Sequence, residues 1–192
     1  MSKSSKSNPS LVLTREVARD RALSMVGKGR YELGTGGRKP TNATPFSASR
    51  RGQPGNVWSD CSGFVAWALG YDRVQNLGLD TEVWYSCEEI IEDARNRGDM
   101  FDLVGGEVKV GDIIVYGPKG KMKWGHIGVV TKILPGFVRF SDDGWKYLEI
   151  THCSTGNGGV AVRTSNAKLW YDSFKKKNSV SRILRYRHFY GE

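Results

Sequence analysis

The sequence predicts an α+β domain in which N-terminal helices pack on a central antiparallel sheet. Three observations carry the prediction. Helical patterning is confined to the chain before Gly98, β-branched and aromatic runs begin after Gly111, and turn residues separate those runs. The turns are Gly117-Pro118, Pro135-Gly136 and Gly156 to Gly159.

Taken in order, Leu11 to Met25 reads as an amphipathic helix with Leu13, Val17, Ala22 and Met25 as its apolar stripe. Thr14 is its candidate N-cap, and Gly27 and Gly29 end it. Arg30 to Asn56 is rich in Gly, Pro, Ser, Thr and basic residues and reads as a long loop, of the kind that carries function or moves. Cys61 to Leu69 is a short buried helix that stops at Gly70 and starts at Asp60-Cys61-Ser62. Thr81 to Arg97 reads as a further helix, ended by Gly98. The strands expected after it are Asp112 to Tyr116, His126 to Ile133, Phe137 to Ser141, Tyr147 to Ser154, Val160 to Thr164 and Arg182 to Tyr190. Lys175 to Lys177 reads as a solvated charge run.

With 192 residues, 39% of them hydrophobic, the chain can bury a core without disulfide staples, so a disulfide miniprotein is excluded. No apolar run approaches the ~18–20 residues that span a bilayer, and no membrane insertion is expected. Met1 to Ser10 is a polar tail of Ser and Lys, without the apolar core of a signal peptide. Residues 11–192 are expected to form one domain, acting as a monomer. The three cysteines are odd in number and lack the short paired spacing of a zinc or redox site. A net charge of +9 suits an anionic partner, whether nucleic acid, acidic membrane or a wall rich in carboxylate and phosphate.

The segment richest in chemistry is Trp58-Ser59-Asp60-Cys61-Ser62-Gly63-Phe64-Val65-Ala66-Trp67. A cysteine in the first turn of a helix meets unpaired backbone N–H groups and the positive end of the helix dipole, both of which favour thiolate. Locally, a small buried apolar residue is an equally good reading of Cys61. The histidines separate the two readings. His126 opens the strand Gly125-His126-Ile127-Gly128-Val129-Val130, and alternation places His152 on the face of Leu148 and Ile150. If the two strands pair, one ring can take the thiol proton while the other orients it.

The order Asp60-Cys61-Ser62-Gly63-Phe64-Val65, Val110-Gly111-Asp112-Ile113-Ile114-Val115-Tyr116, Gly125-His126-Ile127-Gly128-Val129-Val130 and Thr151-His152-Cys153-Ser154 resembles the NlpC/P60 family of cysteine peptidases. The segment Gly29-Arg30-Tyr31-Glu32-Leu33-Gly34 is similar to the tyrosine-and-glycine segment upstream of that family's cysteine. The resemblance implies a papain-like NlpC/P60 fold and hydrolysis of peptide bonds in the stem peptides of bacterial peptidoglycan, through a thioester and without a cofactor or metal. It makes Cys61 the nucleophile, His126 the general base and later acid, and His152 the residue that orients His126. It also implies that Tyr31, Asp60 and Ser62 bind a free amine of the stem peptide, although Asp60 and Ser62 also suit simple helix capping. Peptidoglycan is then the expected partner, with Arg30, Arg38, Lys39, Arg50 and Arg51 gathered before the nucleophile to attract it. Synthesis in the cytoplasm and delivery to the wall by a holin, a virion or a secretion apparatus is expected.

Two stretches depart from the family pattern. Thr35 to Val57 is longer and more basic than the usual approach to the cysteine, and Pro135 to Lys146 adds a hairpin carrying Asp142, Asp143, Gly144 and Trp145 between the histidines. Asn157 is an alternative third catalytic residue. Cys87 and Cys153 read as structural and His188 as a surface or sheet residue. A metal site of His126, His152 and Cys153 is disfavoured, because adjacent strand residues diverge. Two other functions compete: an amidase, deamidase or transferase acting on protein or lipid through the same triad, and nucleic-acid binding through the basic-aromatic run Arg182 to His188. No nucleic-acid motif accompanies that run, and no such partner is expected.

Overall fold

Thr14 starts the first helix, its hydroxyl accepting the Val17 N–H, so that α1 runs Arg15–Ser24 and buries Ala18 and Ala22. The computed structural model describes residues 12–76, 82–96, 98–117, 125–137, 144–155, 159–175 and 181–191. The expected polar tail 1–10, Asn157, the hairpin residues Asp142 and Asp143, Lys176 and Lys177, and nearly all of the strand expected over 137–141 lie outside them.

Beyond α1, the two-residue strands β1 (Arg30–Tyr31) and β2 (Trp58–Ser59) pair in parallel, closing the long basic loop. Helix α2 (Cys61–Ala68) follows at once, with every residue buried. Next come the hairpin of β3 (Val74–Asn76) and β4 (Glu82–Trp84) and helix α3 (Cys87–Arg95). This corrects the helix expected over 81–97. Ser86 and Glu89 form a capping box that starts the helix at Cys87, and the β-branched and aromatic Val83-Trp84 before it pair as strand.

The main sheet holds β5 (Phe101–Leu103), β6 (Ile113–Tyr116), β7 (His126–Ile133), β8 (Leu148–Cys153), β9 (Val162–Asn166) and β10 (Ser181–Tyr186). Its order is β5-β10-β6-β7-β8-β9, with every pairing antiparallel. A 3-10 turn, Gly144–Tyr147, leads into β8, and helix α4 (Ala167–Lys175) follows β9. The α+β class with an antiparallel sheet is as the sequence implied. β5 and α4 are additions, β9 lies slightly C-terminal to its expected place, and β10 ends at Tyr186, leaving His188 exposed in a turn.

Strand alternation divides the core between the two faces of the sheet. Ile113, Val115, Ile127, Val129 and Cys153 join residues of the first three helices. Ile114, Tyr116, Val130, Leu148 and Ile150 join Trp145 and Trp170 on the other side. Each fully buried side chain, such as Phe64 or Ile127, contributes roughly 1.5–3 kcal/mol. Asp112 ties the layers together: its wholly buried carboxylate accepts from Arg15 Nη1 of α1 at 2.7 Å, from Arg185 Nε and Nη2 of β10 at 3.0 Å, and from the Lys109 N–H at 2.8 Å. Among the described residues no helix is long and apolar enough to cross a membrane.

Candidate active site

The start of α2 is held from three sides. Asp60 caps it, with Oδ1 accepting the Gly63 N–H at 2.8 Å. Its Oδ2 accepts the Gly34 N–H at 2.7 Å and Arg73 Nη2 at 2.8 Å. Arg73 also donates to Ser62 Oγ at 2.9 Å and to the Thr35 carbonyl at 3.1 Å. The long loop presses directly onto this turn, since a Cβ on Gly63 would stand 2.5 Å from the Thr35 oxygen; only glycine leaves room there. These contacts fit the helix-capping reading of Asp60 and Ser62. Both are buried, and Arg73 occupies the carboxylate and the hydroxyl from within the fold.

Cys61 is the first residue of α2 and is 4% exposed. Its thiol is held well below the ordinary range, first by a hydrogen bond from the Cys87 S–H, then by the charge and hydrogen bond of His126 and the charge of Arg73, against the opposing effect of burial. Cys87, which opens α3, is pushed up by the same hydrogen bond and by burial. Cys87, read from the sequence as structural, thus bears on the protonation of Cys61. Cys153 keeps its structural reading: buried on the helix side of the sheet, it donates to the Ser59 carbonyl at 3.3 Å.

The β7–β8 pairing brings the two histidines together, with His126 Nε2 3.0 Å from His152 Nδ1. His152 Nε2 in turn lies 2.9 Å from Ser165 Oγ on β9. His152 is pushed down to about 2, chiefly by burial and then by the charges of His126 and Arg163, so it carries one ring proton at neutral pH. Trp170 of α4 covers the pair, its ring 4.5 Å from each imidazole between centroids. Gly128 makes that close packing possible, for a Cβ there would stand 3.0 Å from His152 Cβ and 3.1 Å from the Trp170 ring.

Sequence reasoning missed Arg73, Cys87, Ser165 and Trp170, all of which arrive through tertiary contacts. For Trp170 a signal existed: Asn166, whose side chain accepts the Lys168 N–H, precedes an i, i+4 Lys168–Asp172 pair, as at a capped helix start.

Tyr31 sits beside Ser59 in the β1–β2 register, and burial together with the nearby Cys61 pushes its hydroxyl up. It lines a cleft of about 370 Å³ with Glu32, Arg51, Gln53, Trp58 and Thr155. A second cleft, of about 470 Å³, shares Tyr31, Trp58 and Thr155 and adds Arg30. A thiol lowered in part by one imidazole, which is in turn hydrogen-bonded to a second, is an arrangement suited to nucleophilic attack on a carbonyl.

A search of curated proteins finds none that matches this chain. Residues 51–143, just under half the chain, match the CHAP domain, a cysteine/histidine-dependent amidohydrolase/peptidase domain in the NlpC/P60-like papain-like group. The matched segment contains Cys61 and His126 and ends before His152.

Proposed function

From a chain matched across its Cys61–His126 segment by a CHAP domain, we propose a cysteine hydrolase that cleaves peptide bonds in the stem peptides of bacterial peptidoglycan. The observation that carries the reading is the pairing of His126 Nε2 with His152 Nδ1 at 3.0 Å, together with a Cys61 thiol at the start of α2 that the charge of His126 helps to lower.

The Cys61 thiolate attacks the scissile carbonyl, and the oxyanion is stabilised by the Cys61 backbone N–H at the start of α2. His126, charged after taking the thiol proton, gives it to the departing amine as the C–N bond breaks, leaving a thioester on Cys61. Water then attacks the thioester with His126 as base, releasing the acid and restoring the thiol. While His126 is charged, its Nε2–H donates to His152 Nδ1. The single proton of His152 must then lie on Nε2, donated to Ser165 Oγ. Ser165 thereby fixes the tautomer that orients the base.

The test is the release of new amines from purified peptidoglycan. Wild type should release them and Cys61→Ala should not. Absence of release by wild type over a range of wall chemistries, or equal release by both proteins, overturns the reading. A finer measurement addresses Cys87. Because its S–H stabilises the Cys61 thiolate, Cys87→Ala should shift the inflection of Cys61 alkylation by iodoacetamide to higher pH. An unchanged inflection would show that this hydrogen bond contributes nothing to the thiolate.

A further inference from the structure

Resting on the Cys61–His126 chemistry of the hydrolase reading, we infer that Trp170 is a positioning residue whose ring face holds His126 in its charged form by a cation–π interaction, in the place that a carboxylate partner would otherwise fill.

The reaction needs a cation where little compensates it. His126 stays charged from the arrival of the thiol proton until the amine departs. When the thiolate bonds to the carbonyl, its negative charge passes to the oxyanion at the start of α2, and the imidazolium loses the sulfur as a counter-ion. The other titratable groups around the ring supply no anion. They are Cys87 of α3, packed against Gly125 at the start of β7, Tyr116 of β6 and His152 of β8. Its hydrogen bond with Cys61, together with burial, pushes the Cys87 thiol up, while burial pushes the Tyr116 hydroxyl up and His152 down to about 2, so all three are neutral near pH 7. Arg163, which bears on His152, and Arg73, which bears on Cys61, are cations. On α4, Lys168 and Asp172 pair with each other at 2.9 Å. Among the described residues no carboxylate forms an ion pair with either histidine.

Aromatic rings stand there instead. The Trp170 centroid lies 4.5 Å from that of His126, inside the ~6 Å over which a ring quadrupole attracts a cation. Tyr116 stands 6.0 Å from His126 and 6.3 Å from Trp170, edge to face in both pairs. Trp170 and Tyr116 are each only 8% exposed, so the contact is largely desolvated, the setting in which a cation–π interaction is strongest.

The test is the pH profile of iodoacetamide alkylation, followed at Cys61 by peptide mass spectrometry, which needs no peptidoglycan. Its acid inflection marks loss of the thiol proton beside charged His126, and its alkaline inflection marks loss of the imidazolium proton. Trp170→Leu should leave the acid inflection in place and move the alkaline one down by roughly 0.4–1.5 pH units, the equivalent of a cation–π interaction. Trp170→Phe, with a smaller π face, should fall between. Poor packing that displaced His126 would raise the acid inflection as well, because the thiol would lose its help. Should Trp170→Leu fail to fold, phenylalanine and pentafluorophenylalanine at position 170 decide, since the two rings are close in shape and opposite in quadrupole. The fluorinated ring should give the lower alkaline inflection. An alkaline inflection that coincides with wild type, an acid inflection that rises with the change, or equal profiles for the two phenylalanine rings overturns the inference. If wild type releases no amine from peptidoglycan while the alkaline inflection still falls in Trp170→Leu, the hydrolase reading fails and the cation–π assignment stands.

Discussion

His126→Ala is expected to lower amine release from peptidoglycan by about 10²- to 10⁴-fold, the range that a positioned acid–base group supplies. The argument rests on the number of tasks that converge on one ring. His126 contributes to the low thiol pKa of Cys61 both by charge and by a hydrogen bond. Nothing else in the described site is placed to return a proton to the leaving amine: Cys87 is pushed up, and His152 faces His126 and Ser165. Cys61 alkylation should therefore slow near neutral pH in His126→Ala, in parallel with hydrolysis. His152→Ala should cost less, because His126 still acts on the thiol and loses only its orienting partner. A His126→Ala protein within tenfold of wild type, with His152→Ala worse, would reverse the two roles.

What the sequence made legible follows from how local each signal is. The start of α2 at Asp60-Cys61 is a capping signal readable within a few residues, and His152 falls on the face of Ile150 by simple alternation. The pairing of β7 with β8 then follows from sheet formation, and with it the 3.0 Å contact of the two rings. The groups that tune these residues had no local signature. Ser165 reaches His152 only across the β8–β9 register, and Trp170 only by the return of α4 over the outer face of the sheet. Asp60 shows the same limit from the other side. Its place beside the cysteine was plain, but whether its carboxylate faced substrate or interior depended on Arg73, which arrives from beyond the helix. The helix expected from Thr81 failed because charged residues on both sides of Val83-Trp84-Tyr85 gave a helical count, while the capping box at Ser86 sets the true boundary.

Arg73 carries the second large effect, on stability as well as reactivity. Its guanidinium is 5% exposed and the Asp60 carboxylate 1%, at 2.8 Å, so Arg73→Met should cost about 3–5 kcal/mol by leaving a buried carboxylate without its counter-charge. Urea unfolding should show this as a lower midpoint with the slope preserved. Methionine fills much of the arginine stem but supplies no donors to Ser62 Oγ or the Thr35 carbonyl, so the loop that closes over α2 also loosens. Removing the positive charge near Cys61 should raise the pH at which its thiol alkylates, since Arg73 is one of the groups that lower it. Overpacking or a cavity could also destabilise the variant, and a double-mutant cycle separates those causes. If the unpaired charge dominates, adding Asp60→Asn to Arg73→Met should recover part of the loss, because the neutral amide still accepts the Gly63 N–H and needs no counter-ion. A single variant within about 1 kcal/mol of wild type, below the range for a broken buried pair, would mean that water or another cation replaces Arg73 freely. Strictly additive costs in the double variant would mean that the pair is not the unit that holds the catalytic helix in place.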